Sequence, residues 1–236
     1  MKILAVDTSA LVATVALCDD DRLICEEVVN NGLTHSQTLM PMIDDVLSRS
    51  GTDLSQVELI VAANGPGSFT GLRIGVSCVK GMAHAKKIPV VGVSTLRAMA
   101  YNLPFSSFIV CPIMDARRDQ VYNAVYKWQG TELVELKAPR ALSINELLEE
   151  FSGTDEKIAF LGDGVPVFRN TISEKLIDRA VFAPVNANAQ RASSLAVAGK
   201  KLFDEGKKED GFELVPFYLR KSQAERELEE KNREQI

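Results

Sequence analysis

The order of the apolar runs in the first hundred residues restricts the fold more than any other feature of this 236-residue sequence. Three short segments with strand-like composition, at 3–6, 10–17 and 23–29, are separated only by turn residues, which predicts three consecutive antiparallel strands. Helical periodicity then alternates with the continuous apolar runs 59–63 and 90–93, which are typical of buried parallel strands. The predicted order β-β-β-α-β-α-β-α is that of a ribonuclease-H-like α/β domain.

The second half repeats the strand-then-helix pattern more weakly, and it shows no internal sequence repeat. Its first strand is predicted at 108–111, and further strands and helices are predicted at 121–128, 132–137, 144–151, 157–161, 165–172 and 192–205. A proline-containing segment at 102–107 indicates the boundary. We therefore expect two ribonuclease-H-like subdomains, 1–103 and 104–220, with the second one smaller, followed by a charged tail at 221–236.

The composition limits the classes of function that fit. The chain carries 27 Lys and Arg against 32 Asp and Glu, whereas a protein that binds nucleic acid on its own usually has a net basic surface. The two histidines, His35 and His84, are far apart, and the four cysteines show no C-x-x-C spacing, so no metal site is expected. We expect reduced thiols, a cytoplasmic protein and no membrane segment, with His35 as a packing or capping residue.

A glycine-rich segment between a predicted strand and a predicted helix is the most informative motif. Gly65, Gly67 and Gly71 allow tight turns and a close backbone approach, and the helix that follows offers free N–H groups suited to an anion. The spacing matches neither a Walker A loop nor a G-x-G-x-x-G fingerprint. A structural turn and an anion site both remain open on this evidence.

Six segments of the chain form a recognisable set. They are 1–9 (MKILAVDTS), 35–37 (HSQ), 65–75 (GPGSFTGLRIG), 115–122 (DARRDQVY), 161–164 (LGDG) and 216–220 (PFYLR). Together they closely resemble the TsaB family, also called YeaZ, over about residues 1–220. The resemblance implies two ribonuclease-H-like subdomains of the actin/Hsp70/sugar-kinase superfamily.

The resemblance also implies a function. TsaB is the non-catalytic partner that activates a paralogous subunit, TsaD, and with a TsaE-like ATPase they transfer threonylcarbamoyl to N6 of adenosine 37 in tRNAs that read ANN codons. The implied partners are therefore a TsaD-like paralogue, the ATPase and, through the complex, tRNA, with a homodimer when the chain is alone. No cofactor of its own is implied, although ATP or ADP at the partner interface is compatible with the family.

Asp7 is the residue most similar to the acid that related kinases place near nucleotide phosphates. Here Thr8 and Ser9 follow it where those kinases have a glycine-bearing loop, which argues against independent ATP hydrolysis. The candidate nucleotide or anion residues are Asp7, Thr8, Ser9, Gly65, Gly67 and Gly71. A turn-stabilising role for Asp7 is the alternative.

Two predicted helices indicate a partner surface, because each is apolar over an unusually wide face. The candidate interface residues are Leu39, Met42, Ile43, Val46, Leu72, Val76, Val79 and Ala83. A second apolar stripe on the later helix comprises Ile74, Cys78, Met82 and Ala85. The alternative is that both helices merely cover their own sheet.

The remaining candidates are Arg117 and Arg118, which follow a predicted strand. They are either ordinary surface residues or a local contact for tRNA or another anion. No catalytic residue is predicted. The competing hypotheses are a self-sufficient small-molecule kinase or glycoprotease-like enzyme of the same superfamily, and a self-associating regulatory protein.

Overall fold

Two five-stranded sheets with the same connectivity organise residues 1–220, the part of the chain that the computed structural model describes. The strand orders are β3-β2-β1-β4-β5 and, read in the same sense, β8-β7-β6-β9-β10. In each sheet the first three strands pair antiparallel and the rest pair parallel. The predicted strand order is confirmed, and the topology reveals a duplication that the sequence does not show.

The elements lie close to the predicted ones in most of the chain. The strands are β1 (Lys2–Asp7), β2 (Ala13–Asp19), β3 (Arg22–Val29), β4 (Leu59–Gly65), β5 (Val90–Ser94), β6 (Ile109–Asp115), β7 (Gln120–Gln129), β8 (Glu132–Ser143), β9 (Ile158–Leu161) and β10 (Ala180–Phe182). The helices are α1 (His35–Arg49), α2 (Phe69–Lys86), α3 (Thr95–Ala100), α4 (Ile144–Glu150), α5 (Gly164–Leu176), α6 (Val185–Asn188) and α7 (Ala192–Asp204). Within residues 1–220, no helix has the length and apolar character needed to cross a membrane. The predicted tail at 221–236 lies outside the described residues.

Alternating side chains of the central strand β1 anchor two separate cores on the first sheet. Leu4 and Val6 pack beneath α1 and α2 on one face. Ile3 and Ala5 pack beneath α7 on the other face. Because α3 contacts both sheets, its side chains join the first subdomain to β6 and β7 of the second.

The division of the chain differs from the predicted boundary between 103 and 104. Helix α7, predicted within the second subdomain, returns to the first sheet and packs on β1, β2, β4 and β5. Gly199 permits this contact, because a side chain there would collide with Val61. Arg191 binds the buried carboxylate of Glu26 on β3, which fastens the start of α7. The second sheet also has as many strands as the first, so the predicted size difference does not extend to the sheets.

The residues predicted to form the partner interface do not form an exposed surface. All eight are buried, and none is more than 3% exposed: Leu39, Met42, Ile43, Val46, Leu72, Val76, Val79 and Ala83. All of them except Leu72 belong to the core between the first sheet and its two covering helices. The assignment is therefore wrong, and the alternative that these stripes cover their own sheet is correct. The stripe containing Ile74 and Cys78 is only half-buried and faces more nearly outward.

Candidate functional site in the cleft between the subdomains

A cleft of about 730 Å³ lies between the two subdomains, at the carboxyl ends of central strands from both sheets. Ligands of open α/β folds bind at such strand ends. The first wall contains the turn after β1 and the start of α2. The second wall contains the turn after β6 and the start of α5. The polar residues on the two walls include Ser9, Thr34, His35, Ser36, Ser68, Thr70, Asp115, Arg117, Asp163, Tyr218 and Arg220.

Asp7 lies beneath the cleft wall and does not line the cleft. Its carboxylate accepts hydrogen bonds from the turn that follows β1. It is 1% exposed, and its Oδ1 accepts hydrogen bonds from the Ser9 amide at 2.8 Å and the Ser9 hydroxyl at 2.6 Å. Burial raises the pKa of Asp7, and the bonds from Ser9 only partly oppose that rise. The structure therefore supports the turn-stabilising role.

The glycine segment packs against the same turn. The Ser68 amide donates to the Ser9 carbonyl at 2.6 Å, and the Thr8 hydroxyl donates to the Gly71 carbonyl at 2.7 Å. A side chain on Gly67 or Gly71 would collide with the carbonyl oxygen of Ser9 or Thr8, respectively. Glycine is needed at these positions because the backbone of the glycine segment contacts the backbone of the turn after β1. This contact fixes the start of α2 against β1.

The six candidate nucleotide residues are thus divided by the structure. Three of them, Ser9, Gly67 and Gly71, remain on the cleft wall. Gly65 lies behind it, at a φ of 123°, where a side chain would collide with the Phe217 carbonyl. Asp7 is bonded to Ser9 and Thr8 is bonded to Gly71, so the side chains of Asp7 and Thr8 are not free to bind a phosphate.

His35 lines the cleft as the first residue of α1. Its Nε2 donates to the Ala10 carbonyl at 2.7 Å, which assigns the proton to that nitrogen. His35 thereby ties the start of α1 to the loop after β1, as expected for a packing residue. His84 is exposed and meets the edge of the Phe212 ring.

Two carboxylates, Asp115 and Asp163, lie on the second wall. Asp163 Oδ1 accepts the Asp115 amide at 3.2 Å, and burial raises the pKa of Asp163 to about 6, with the nearby Asp115 charge adding to the rise. Asp163 follows β9 in the glycine-flanked segment LGDG. The LGDG segment follows a buried strand, as the first glycine segment does. This shared position is the sequence signal that could have identified Asp163.

Arg117 and Arg118 lie on the turn after β6, in an unusual backbone conformation. Arg117, Arg118 and Asp119 have φ values of 64°, 55° and 56°, a left-handed arrangement that is rare for consecutive non-glycine residues. Arg117 lines the cleft and pairs with Asp115 at 3.4 Å. Both arginines are exposed, and Arg117 lines the cleft, so the choice between ordinary surface residues and an anion contact stays open.

In residues 1–220, no group of three or more His, Cys, Asp or Glu side chains is arranged to hold a metal ion. The four cysteines carry free thiols, with Cys18 and Cys111 buried.

The sequence did not single out the cleft residues Tyr218 and Arg220. They were noted only within the motif PFYLR.

Replacing Asp163 with asparagine is expected to change how stability depends on pH. Because the folded pKa is raised from 3.8 to about 6, the native protein holds this proton more tightly than the unfolded chain does. This tighter proton binding stabilises the folded protein below pH 4, and the stabilisation is lost as the pH rises through 6. Asparagine keeps the acceptor for the Asp115 amide, so Asp163→Asn should be more stable than wild type by about 3 kcal/mol at pH 8.

Urea unfolding at pH 4.5 and pH 8 measures the effect of this substitution. The stability difference between variant and wild type should shrink toward pH 4.5, because other groups titrate equally in both proteins. A difference that does not vary with pH would contradict the raised pKa of Asp163.

Comparisons with known proteins give a consistent result. The family model described as "TsaD: tRNA N6-adenosine threonylcarbamoyltransferase" matches residues 29–228. A Bacillus subtilis protein named tRNA threonylcarbamoyladenosine biosynthesis protein TsaB is 33% identical, over 95% of this chain and 96% of that protein. The Escherichia coli protein of the same name is 30% identical, over 97% of this chain and 98% of that protein.

The chain belongs to the TsaB family. A solved structure from Pseudomonas aeruginosa, described as similar to the peptidase YEAZ, is 28% identical and superposes with a TM-score of 0.80 over 93% of this chain and 99% of that chain. Component A of (R)-2-hydroxyglutaryl-CoA dehydratase from Acidaminococcus fermentans, 11% identical, shares the fold alone, with a TM-score of 0.51 over 85% of this chain and 98% of that chain. The predicted α/β fold class, with two subdomains of ribonuclease-H-like strand order, is confirmed. Its TsaB relatives are named for tRNA threonylcarbamoyladenosine biosynthesis.

Proposed function

We propose that this protein is a cytosolic, non-catalytic scaffold in tRNA threonylcarbamoyladenosine biosynthesis. It binds and activates a TsaD-like catalytic subunit, which transfers threonylcarbamoyl to N6 of adenosine 37 in tRNAs that read ANN codons. One observation carries the proposal: the acid at the end of β1 and the glycine segment are both hydrogen-bonded to Ser9, in the turn after β1. Asp7 is held by Ser9, and Ser68 is held by Ser9, so these groups stabilise the chain's own backbone and are not free for a substrate.

The match to a transferase family model supports a related chain as the partner. This chain matches the TsaD model over residues 29–228, so partner and scaffold would share a fold. Two related chains can use equivalent surfaces about a pseudo-two-fold axis, as two copies of one chain do about a true two-fold axis. The homodimer that this chain forms without its partner and the heterodimer with the catalytic subunit would then use the same face.

The outward face of α1 and α2 is the surface we assign to that partner. Met40 is 52% exposed on α1, and its sulfur accepts the Cys78 thiol of α2 at 2.9 Å. Ile74 lies one turn before Cys78 and is half-buried, while Leu33, just before α1, is 57% exposed. Large apolar side chains on two neighbouring helices and just before α1 thus face outward, which favours a protein contact.

The cleft suggests how the other components join. Arg117 and Arg118 supply a local positive charge for tRNA phosphates while the net charge of the chain is −5, so tRNA binding would need the complex. A TsaE-like ATPase would act on the assembled pair. Any ATP or ADP would lie where this chain meets its partner, with the partner supplying the phosphate contacts.

Reconstitution tests the proposal. Threonylcarbamoyladenosine would be measured on unmodified tRNA with the catalytic paralogue, the ATPase, ATP and the activated threonylcarbamoyl donor, with and without this chain. We expect product only when the chain is present. Equal product without it would contradict the scaffold role, and turnover of ATP or peptide by the chain alone would favour an enzyme of the same superfamily.

A further inference from the structure

Residues 209–220 form a segment without helix, with a turn at 211–213, that is held along the first subdomain and is here named the strap. The Glu209 backbone pairs with β5 through two hydrogen bonds of 2.8 and 3.1 Å. The Lys80 ammonium on α2 donates to the carbonyls of Phe212 at 2.9 Å and Leu214 at 3.1 Å. The Leu214 side chain is fully buried in the core beneath α2. The first part of the strap is therefore a fixed part of this subdomain.

The second part of the strap is fastened to the start of α2, at the edge of the cleft. The Tyr218 ring stacks on Phe69 with a centroid separation of 4.3 Å. The Arg73 guanidinium lies 4.0 Å from the Phe69 ring centre and donates to the Tyr218 hydroxyl at 3.2 Å. Gly65 leaves room for the Phe217 carbonyl, so the backbone can pass close to β4.

The strap then crosses to the second subdomain. Arg220 Nη1 donates to the Ala116 carbonyl at 2.7 Å, and Ala116 belongs to the turn after β6. That turn is closed by its own bond from the Ala116 amide to the Gln120 carbonyl at 2.9 Å. Tyr218 and Arg220 both line the cleft, so the crossing lies at the cleft wall.

We propose that the strap sets the width of the cleft. The hydrogen bond from Arg220 to the Ala116 carbonyl, here named the clasp, holds the two walls together. The strap cannot slide along the first subdomain, because Leu214 and Tyr218 anchor it there. A hydrogen bond from a charged donor to Ala116 therefore ties the left-handed turn to the opposite wall, and it is stronger than a neutral one. Opening the cleft would break this bond. The inference concerns the chain itself and stands independently of the proposed function.

Amide hydrogen exchange, measured by mass spectrometry on the full chain, tests the clasp. Arg220→Ala is expected to speed exchange in the peptide covering 114–121 by about tenfold, since the turn that holds the Ala116 amide on Gln120 opens more often once the Arg220 bond to the Ala116 carbonyl is lost. Tyr218→Ala should speed the same peptide, because it releases the strap from α2. Peptides from the sheet cores should keep their wild-type rates.

Arg179→Ala is the matched control. Arg179 Nη1 donates to the Phe151 carbonyl at 2.7 Å, inside the second subdomain and away from the cleft residues. Since Arg179 Nη1 also donates to the Thr154 carbonyl, this variant should speed exchange only near residues 151–154. The proposal is overturned if Arg220→Ala leaves 114–121 within twofold of wild type, or if it speeds both sheets equally, since either result makes Arg220 an ordinary surface contact.

Discussion

Replacing Gly71 with alanine is expected to lower the free energy of unfolding by about 3 kcal/mol, because overpacking of a close contact typically costs this much. The added Cβ would meet the Thr8 carbonyl oxygen, a backbone atom that cannot rotate away. To relieve the collision, α2 must move from the turn after β1, which also strains the Thr8 bond to the Gly71 carbonyl. Guanidinium unfolding followed by circular dichroism measures the loss.

Gly81→Ala is the control on the same helix. Gly81 is exposed, and no atom lies within 4 Å of an added Cβ. Since alanine is favoured over glycine within a helix, Gly81→Ala should raise stability by about 0.5–1 kcal/mol. Equal effects of the two substitutions would contradict a close contact between the glycine segment and the turn after β1.

Replacing Met40 with glutamate is expected to weaken binding to the TsaD-like partner, and self-association, by at least 100-fold. A charge buried without a partner at the centre of an apolar contact costs several kcal/mol, and a factor of 100 corresponds to about 2.7 kcal/mol. Folding should be preserved, because Met40 is 52% exposed in the single chain. Analytical ultracentrifugation and titration calorimetry measure the two associations.

Val197→Glu is the matched control for this surface. Val197 is an apolar helix residue with a similar exposure, 57%, but it lies on α7, which covers the opposite face of the first sheet. It should leave both associations unchanged. If Val197→Glu weakens them as much as Met40→Glu does, the partner face is not the outward side of α1 and α2.

The sequence predicted the strand order because the strands of the first sheet, apart from β3 with its Glu26 and Glu27, are compact apolar runs. Strand β10 has only three residues, too few to show a period, and it was missed. Helix α7 was located correctly along the chain but assigned to the wrong subdomain. Periodicity reveals that a helix has an apolar face, but it does not reveal which of two sheets that face covers.

The same limit explains the error in the partner surface. Helix α2 carries two apolar stripes, and their composition does not distinguish the one that covers the sheet from the one that faces outward. Val76 and Val79 proved to be core residues, whereas Ile74 and Cys78 did not. Only packing against a particular sheet decides between such stripes.

The candidate site was predictable where a motif was short and local. The glycine segment and the turn after β1 were identified as a pair, but their mutual contact depends on three-dimensional approach. The raised pKa of Asp163 depends on burial by distant residues. The strap contains no periodic pattern, so Tyr218 and Arg220 acquire a role only when the chain returns to the cleft.

The central claim, that this chain contributes a surface to the complex and not a catalytic group, is tested most directly by threonylcarbamoyladenosine formation with two variants. Asp7→Asn keeps the Oδ1 that accepts both bonds from Ser9, so the account predicts wild-type product in the reconstituted reaction. Met40→Glu should give no more product than a reaction lacking this chain. A folded Asp7→Asn protein that binds its partner yet abolishes product would contradict the account.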